Sequence, residues 1–346
     1  MRSLTLAVAI GLLTTGPTGS WAAQDGRYQV MGGYYPGDGP YLQLSADYGN
    51  NWNSLPGSQA TVTDLAINSD GTMLVKVETT LISTSNDYGN TWNATAVPPA
   101  AWADIAVSTS GQFLTAVADN GLIFTSSDYG QRWADRSVAG LENFSSVALS
   151  SSGQLQTALS PSGTLYVSDT FGFTWSSIAL SGSNVVAHAM SANGSYIAYV
   201  STNGTAYISS TSGQAWEAVS LTACLAGHTP ASITMSDTGL IQVVMSTQGG
   251  CLSTNFGQSF QTLSLPTLPP SPCTSIAYNT PMAMSSSGML MLCALTCYDN
   301  PSDDRHQPEV FGGWFASQSA SSSWGAFGFL GSTDVLTVAI SRNMGP

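Results

Sequence analysis

Short alternations of apolar and polar residues recur along the chain, and turns rich in Gly and Ser separate them. Three alternations follow one another in residues 103–108 (ADIAVS), 112–117 (QFLTAV) and 121–126 (GLIFTS). A period of two residues is that of a β-strand with one buried face. Residues 24–346 show no convincing 3.6-residue amphipathic period. The pattern predicts an all-β protein whose repeating unit has strands A, B and C, followed by a strand D.

Strands C and D are separated by a turn that recurs along the chain. Three copies have the pattern Ser-x-Asp-x-Gly-x-x-Trp, three weaker copies keep the Ser, the Gly and the final aromatic residue, and a seventh is degenerate. The copies occupy residues 45–52, 85–92, 126–133, 168–175, 209–216, 253–260 and 317–324. The final aromatic residues of the first six are spaced by 40, 41, 42, 41 and 44 residues, and the seventh follows after a gap of 64. A period near 40 with several short strands per unit is typical of β-propeller blades.

The recurring turn has a local physical logic. Ser and Asp side chains hydrogen-bond nearby backbone groups, Gly adopts a conformation that a Cβ resists, and Trp buries a large apolar face between neighbouring sheets. The motif resembles the Asp-box, or BNR repeat, of a β-propeller family that includes sialidases, sortilin and photosystem II assembly factors. The resemblance implies that the boxes are structural and lie away from the ligand-binding face. The residues to which it assigns this role are Ser45, Asp47, Gly49, Trp52, Ser85, Asp87, Gly89, Trp92, Ser126, Asp128, Gly130, Trp133, Gly172, Trp175, Gly213, Trp216, Gly257 and Phe260.

The two ends of the repeat region predict the number of blades. Residues 335–341 (VLTVAIS) match the A strands of the other units, whereas residues 28–31 and 41–45 resemble strands B and C without an A strand before them. A C-terminal strand A that joins the N-terminal strands B to D would close the ring and leave no open edge. The prediction is a single seven-bladed β-propeller with four-stranded blades.

The N-terminus has the pattern of a secretory signal peptide. Arg2 precedes an apolar run over residues 4–13, and small residues lead to Ala22. The run is too short to span a bilayer, so we expect cleavage near Ala22 or Ala23, with residues 1–23 as the signal peptide and 24–346 as the propeller. No other segment is long and apolar enough to cross a membrane. The sequence therefore predicts a secreted, extracellular protein.

The net charge disfavours some classes of binding partner, and the cysteine content predicts disulfides. The net charge is −13 and the isoelectric point is near 4.1, which disfavours nucleic acid and anionic membranes as partners. Four sequons, at Asn93, Asn143, Asn193 and Asn203, are candidate glycosylation sites. In an oxidising compartment disulfides are the expected state of the five cysteines. The expected pairs are Cys224 with Cys251, and Cys273 with Cys293 or Cys297, which leaves one thiol over.

Long insertions indicate where a partner would bind. Residues 34–40, 221–230, 266–280 and 298–313 are B–C or D–A connections, which emerge at the end of the propeller opposite the boxes. Long loops in a compact fold often carry function, so we expect a non-catalytic scaffold that binds a protein or glycan at this end. The candidate partner-binding residues are Tyr34, Tyr35, Tyr278, Tyr298, Asp303, Asp304, Arg305 and His306. A solvated surface loop is the alternative for residues 298–313.

The alternative function is glycoside hydrolysis, sialidase-like or glucanase-like. Asp64 and Asp104 fall at equivalent positions of adjacent A strands, facing the central channel, where they could bind a cation or act as an acid and base pair. Asp304 is a further candidate carboxylate at the channel mouth. Small polar residues are also what a narrow solvated channel needs. The family's sialidases use an arginine triad, and three convergent arginines are hard to assemble from the five in residues 24–346. The histidines are dispersed and no cofactor motif is present, so neither a metal nor a cofactor is expected.

Overall fold

Strands and turns make up the part of the chain that the structure describes, with no helix in it. The computed structural model describes residues 7–10, 27–35, 39–47, 51–57, 62–78, 80–137, 143–181, 184–246, 248–263, 275–284, 290–298, 314–317, 324–327, 329–330 and 335–336. Side chains are described between residues 27 and 263, apart from those of residues 31–41 and 63.

The described strands form seven antiparallel sheets of four strands, in each of which every strand pairs with the one before it. The first three sheets contain β1 (Ala7–Ile10), β2 (Gln29–Tyr35), β3 (Gly39–Ser45) and β4 (Asn53–Ser54); β5 (Val62–Ile67), β6 (Leu74–Glu78), β7 (Leu81–Ser85) and β8 (Asn93–Ala94); and β9 (Trp102–Val107), β10 (Leu114–Ala118), β11 (Ile123–Ser126) and β12 (Ala134–Asp135). The fourth and fifth contain β13 (Ser146–Leu149), β14 (Gln156–Ser160), β15 (Thr164–Ser168) and β16 (Ser176–Ala179), and β17 (Val185–Met190), β18 (Ile197–Ser201), β19 (Thr205–Ser209) and β20 (Glu217–Ser220). The last two contain β21 (Ser232–Met235), β22 (Gln242–Ser246), β23 (Gly249–Ser253) and β24 (Gln261–Leu263), and β25 (Ser275–Met284), β26 (Leu290–Tyr298), β27 (Trp314–Ser317) and β28 (Trp324–Phe327). A separate hairpin joins β29 (Phe329–Leu330) to β30 (Val335–Leu336).

This architecture is the one that the repeat predicts. In the third sheet β9, β10 and β11 are the expected strands A, B and C, and β12 follows Trp133 as the expected strand D. The first strands of the second to seventh sheets contact one another in sequence, and β1 contacts both β5 and β25. The prediction of an all-β chain built from four-stranded propeller sheets is therefore confirmed.

Backbone hydrogen bonds join the A–B turns of neighbouring sheets. The amide of Ser69 donates to the carbonyl of Thr109 at 3.2 Å, and the amide of Thr109 donates to Ser151 at 3.1 Å. Ser151 continues the series to Ala192 at 2.7 Å, and Ala192 donates to Asp237 at 2.8 Å. Polar groups buried between sheets need such partners. The series ties five successive sheets together around the inner strands.

The first sheet differs from the expectation. β1, which lies in the predicted signal peptide, pairs with β2, placing Ala7 opposite Gly32 and Ile10 opposite Gln29. The expected occupant of that edge, residues 335–341, does not fill it: Val335 and Leu336 pair with β29, and residues 337–341 lie outside the described residues. The physical reason is that residues 6–10 (LAVAI) and 336–340 (LTVAI) have nearly the same sequence, so the full-length chain contains two segments suited to one edge.

Candidate functional site

The long connections all emerge at one end of the sheets. In a four-stranded antiparallel meander the B–C and D–A connections leave from the same end. That end, called here the insertion end, carries residues 221–231 between β20 and β21, 264–274 between β24 and β25, and 299–313 between β26 and β27. The B–C connections of the second, fourth and fifth sheets are much shorter, at residues 79–80, 161–163 and 202–204. The three longest connections at the insertion end therefore belong to consecutive sheets, and the D–A connection at residues 136–145, between β12 and β13, is next in length.

The predicted partner-binding tyrosines lie on strands that lead to this end. Tyr34 and Tyr35 are the last two residues of β2, and Tyr298 is the last residue of β26. Tyr278 lies within β25, opposite Leu295. Residues Asp303, Asp304, Arg305 and His306 lie outside the described residues. Their role in binding stays a prediction.

One insertion is folded back onto the sheets. In residues 221–231 the amide of Leu225 donates to the carbonyl of Leu221 at 2.9 Å, and both leucine side chains are buried. A disulfide joins Cys224 in this segment to Cys251 on β23, as the sequence predicted. Of the second expected pair, Cys273 lies outside the described residues, and Cys293 and Cys297 lie on β26. The connection is thus held rigidly while residues 222–223 and 226–229 remain exposed.

Asp64 and Asp104 are brought together, as their positions on adjacent A strands predicted. A register shift in β5 and an extra residue in β9 at Ala103 precede the two aspartates. Such bulges re-aim the side chains that follow them. Both residues are half-buried, and their side chains are hydrogen-bonded to each other. Asp304, the third member of the proposed catalytic set, is not described.

Every carboxyl oxygen of the pair accepts a backbone hydrogen bond. Asp64 accepts from Leu65 through Oδ1 and from Ile105 through Oδ2, both at 2.8 Å. Asp104 accepts from Ile105 through Oδ1 at 2.8 Å and from Val147 through Oδ2 at 2.7 Å. Each aspartate therefore binds an amide on the inner strand of the next sheet. The pair links the second, third and fourth sheets where their inner strands begin.

The electrostatics of the pair favour one shared proton. Burial raises the pKa of the Asp104 carboxyl well above its usual value of 3.8, and the neighbouring negative charge of Asp64 raises it further. Burial also raises the pKa of Asp64, against the lowering effect of its hydrogen bonds to Asp104 and to the backbone. Glycosidase carboxyls stand about 5–9.5 Å apart, with the scissile bond between them. Every oxygen of the pair already accepts a backbone hydrogen bond, so the geometry suits a tie between sheets better than acid and base catalysis.

His188 continues the polar contacts along the inner strands. Its Nδ1 lies 2.5 Å from the hydroxyl of Ser146, and its Nε2 lies 2.9 Å from the hydroxyl of Thr157. Burial lowers the pKa of His188 to about 4, so the imidazole is neutral near pH 7. Among the described residues, His188 makes no hydrogen bond to a carboxylate. A neutral histidine without such a partner is a weak base for activating Ser146, so this contact too is structural.

The inner strands also line an open cavity of about 280 Å³. Most of its wall is apolar, and A–B turn residues such as Thr109 and Ser151 form one side of it, at the end away from the insertions. Among the described residues, no three His, Cys, Asp or Glu side chains form a metal-binding group. Within the same part of the chain, no helix is long and apolar enough to cross a membrane.

The boxes form self-contained hydrogen-bonded turns. In the second sheet Ser85 donates to Asp87 at 2.8 Å, and the amides of Gly89 and Thr91 donate to Ser85 and Asp87, each at 2.8 Å. In weaker copies another oxygen takes the place of the aspartate: Thr211 accepts from the amide of Ala215 at 2.9 Å. In the boxes of the second to sixth sheets, the residue before the glycine is itself left-handed, with φ of 60° at Tyr88. These contacts account for the tolerance of Thr and Asn at the Asp position.

Sequence reasoning missed one buried ion pair. Lys76, the chain's single lysine, is 2% exposed and lies 2.8 Å from Glu78. Its ammonium group also donates to the carbonyl of Gly57 and lies 4.9 Å from the Trp92 ring centroid. The sequence signal for it is a lysine inside the apolar run of β6, at a position where the alternation places a buried side chain.

Comparisons with known proteins agree with this fold. The crystal structure of the Niastella koreensis GH74 enzyme matches with a TM-score of 0.59 and 15% identity, over 93% of this chain and 58% of that enzyme. YCF48 bound to D1 peptide matches with a TM-score of 0.54 and 14% identity, over 72% of this chain and 78% of YCF48. No family model and no curated protein matches the chain. Likeness at this identity shows the β-propeller fold alone, and the chain spans less than two thirds of the GH74 enzyme.

Proposed function

We propose that residues 1–23 direct export and that residues 24–346 form a secreted seven-bladed Asp-box propeller that binds a protein or glycan partner at the insertion end. Closure of the ring by a C-terminal strand A beside the N-terminal strands B to D is part of this proposal. The observation that carries it is the gathering of the long connections, 221–231, 264–274 and 299–313, at one end of consecutive sheets. Connections on a rigid scaffold are the usual place for binding residues.

The composition of the insertion end suits recognition rather than catalysis. Tyr34, Tyr35 and Tyr298 lie at the ends of strands that lead there, and tyrosine offers both a broad apolar face and a hydroxyl. Tyrosine is enriched among the residues that dominate protein interfaces, and aromatic rings also stack on sugars. With a net charge of −13, a neutral or basic partner is favoured over an acidic one.

Glycoside hydrolysis is the second candidate, and the GH74 enzyme is an example of this fold in an enzyme. The hydrogen-bonded pair of Asp64 and Asp104 counts against a catalytic role for those two residues. A screen of glycosidase substrates should compare the wild type with the Asp64→Asn, Asp104→Asn double variant. Turnover by the wild type that the double variant lacks would favour the enzyme, provided that circular dichroism shows the variant folded.

Deletion of residues 299–312 tests the binding proposal. We expect the deletion to abolish capture of the native partner from extracellular medium, and of any glycan identified on an array, without changing the circular dichroism spectrum. Tyr129→Ala is the matched control because Tyr129 is exposed in a box, at the opposite end of the sheets. Unchanged capture by the deletion variant, or loss of capture by Tyr129→Ala alone, would refute the assignment.

A further inference from the structure

We propose that the predicted signal peptide and residues 335–341 are alternative occupants of a single strand position beside β2. The leader fills the position in the full-length chain, and its removal frees the edge for the C-terminal segment. This inference rests on the export part of the proposed function and is independent of partner binding. The proposal assigns a role in folding to a leader whose expected role is only that of a targeting signal.

The first observation is the place that β1 takes. All four of its residues pair with β2, from Ala7 opposite Gly32 to Ile10 opposite Gln29. β1 also contacts β5 and β25, the inner strands of the second and seventh sheets. These are the contacts of an inner strand of the first sheet, so the position belongs to the propeller and is filled by a segment that export would remove.

The second observation is sequence similarity between the two segments. Residues 6–10 are LAVAI and residues 336–340 are LTVAI, with four of five positions identical. Superposing the two segments predicts a register in which Val338 lies opposite Met31 and Ile340 lies opposite Gln29. Because strand register is fixed by the alternation of side chains, the two segments should present equivalent faces to the neighbouring sheets.

The third observation is the length of the connection that the exchange requires. Eight positions separate the end of β28 at Phe327 from Val335. The same number separates Ser54 from Val62 and Ala94 from Trp102, which are complete D–A connections of this chain. Residues 328–334 are therefore long enough to carry the chain from an outer strand to the next inner position.

Leaving the strand position beside β2 empty would destabilise the fold. Val30 on β2 is fully buried, in a cluster with Leu42 and Leu65. Loss of the inner strand would uncover that apolar surface and leave the backbone groups along one edge of β2 without partners. Such an edge is prone to pair with other chains, which gives the C-terminal segment its driving force.

Deleting residues 335–346 in two backgrounds tests the exchange. In the mature chain, 24–346, we expect the deletion to lower Tm by about 5 °C or more, since even small losses of stability shift Tm by a few degrees in domains near this size. Amides of residues 29–33 should also lose at least ten-fold in hydrogen-exchange protection. In the full-length chain, 1–346, the same deletion should change neither quantity, because the leader fills the edge. Deletion of residues 342–346 alone is the control and should change neither Tm nor hydrogen-exchange protection in either chain.

Two further results bear on the proposal. Ala339→Pro should reproduce the deletion in the mature chain, because Ala339 superposes on Ala9, opposite Val30, where the amide of the inner strand faces the paired strand, and proline lacks that amide. It should have no effect in the full-length chain. Equal losses in both backgrounds, or no loss in the mature chain, would overturn the proposal. If the mature deletion variant fails to fold, the full-length deletion variant still decides it: that variant must fold. None of these readouts depends on a binding partner.

Discussion

The substitution Asp104→Asn should stabilise the protein near neutral pH, and increasingly so as pH rises from about 4. The Asn side chain keeps an oxygen for the amide of Val147, which Asp104 now accepts at 2.7 Å. Its amide group can donate to Asp64 without carrying a proton that must be lost. The wild-type Asp104 carboxyl must lose a proton to ionise, and burial and the charge of Asp64 oppose this by raising its pKa well above 3.8.

The sign and size of the stability difference between the wild type and Asp104→Asn follow from proton linkage. Between the unfolded pKa and the raised folded pKa, the folded chain holds more protons than the unfolded chain, so its stability falls as pH rises. One extra bound proton corresponds to a slope of about 1.4 kcal/mol per pH unit. The wild type should lose stability at up to that rate relative to Asp104→Asn, starting near pH 3.8, until the carboxyl of the folded protein ionises.

The assay is urea unfolding followed by tryptophan fluorescence at intervals from pH 4 to pH 8, on both proteins. Taking the difference between them cancels the titration of His188, which both contain. Asp87→Asn is the opposite-sign control, because the hydrogen bond from the Thr91 amide lowers the pKa of Asp87. That contribution is present above the unfolded pKa and lost as pH falls. Parallel stability curves for wild type and Asp104→Asn would refute the shared proton.

Three other predictions concern the scaffold. Gly130→Ala should destabilise the protein by about 1–2 kcal/mol because φ is 77°, and by roughly a further 1–3 kcal/mol because the new Cβ would lie 2.7 Å from Thr84. Gly227→Ala, whose Cβ would have no atom within 4 Å, should show only the backbone cost when both variants are measured by urea unfolding. His188→Gln should abolish a loss of stability of roughly 3 kcal/mol that the wild type shows as pH falls from 6.5 to about 4, because over that range the imidazole of the unfolded chain binds a proton while the buried one stays neutral. An unchanged profile contradicts this. Replacing Cys224 and Cys251 by Ser should cost about 3 kcal/mol, since the disulfide closes a 27-residue separation; calorimetry with an unshifted Tm would contradict it.

The repeating part of the fold was predictable because its signals are local. The hydrogen bonds of a box, such as that between Ser85 and Asp87, join residues two to four positions apart. The alternation of β9, β10 and β11 is likewise visible within one unit. Such features need no knowledge of the rest of the chain, which is why one unit sufficed to assign the strands of the others.

The inner contacts were only partly predictable because they join different sheets. Counting positions placed Asp64 and Asp104 on adjacent inner strands, yet the bulge at Ala103 that re-aims one of them has no signature in composition. The contact between Ser146 and His188 spans 42 residues and depends on the same stacking. The sequence analysis assigned residues 335–341 to the edge of β2, whereas β1 occupies it, because two segments match that edge and pattern alone does not rank them.

The most direct test of the account is hydrogen exchange of the mature protein with and without its captured partner or glycan. The account predicts that protection on binding concentrates in residues 222–229 and 299–313, at the insertion end. Residues 85–92 and 126–133, which form boxes at the opposite end, should exchange at unchanged rates. Protection confined to the boxes, or spread evenly over both ends, would contradict the claim that recognition belongs to the insertion end.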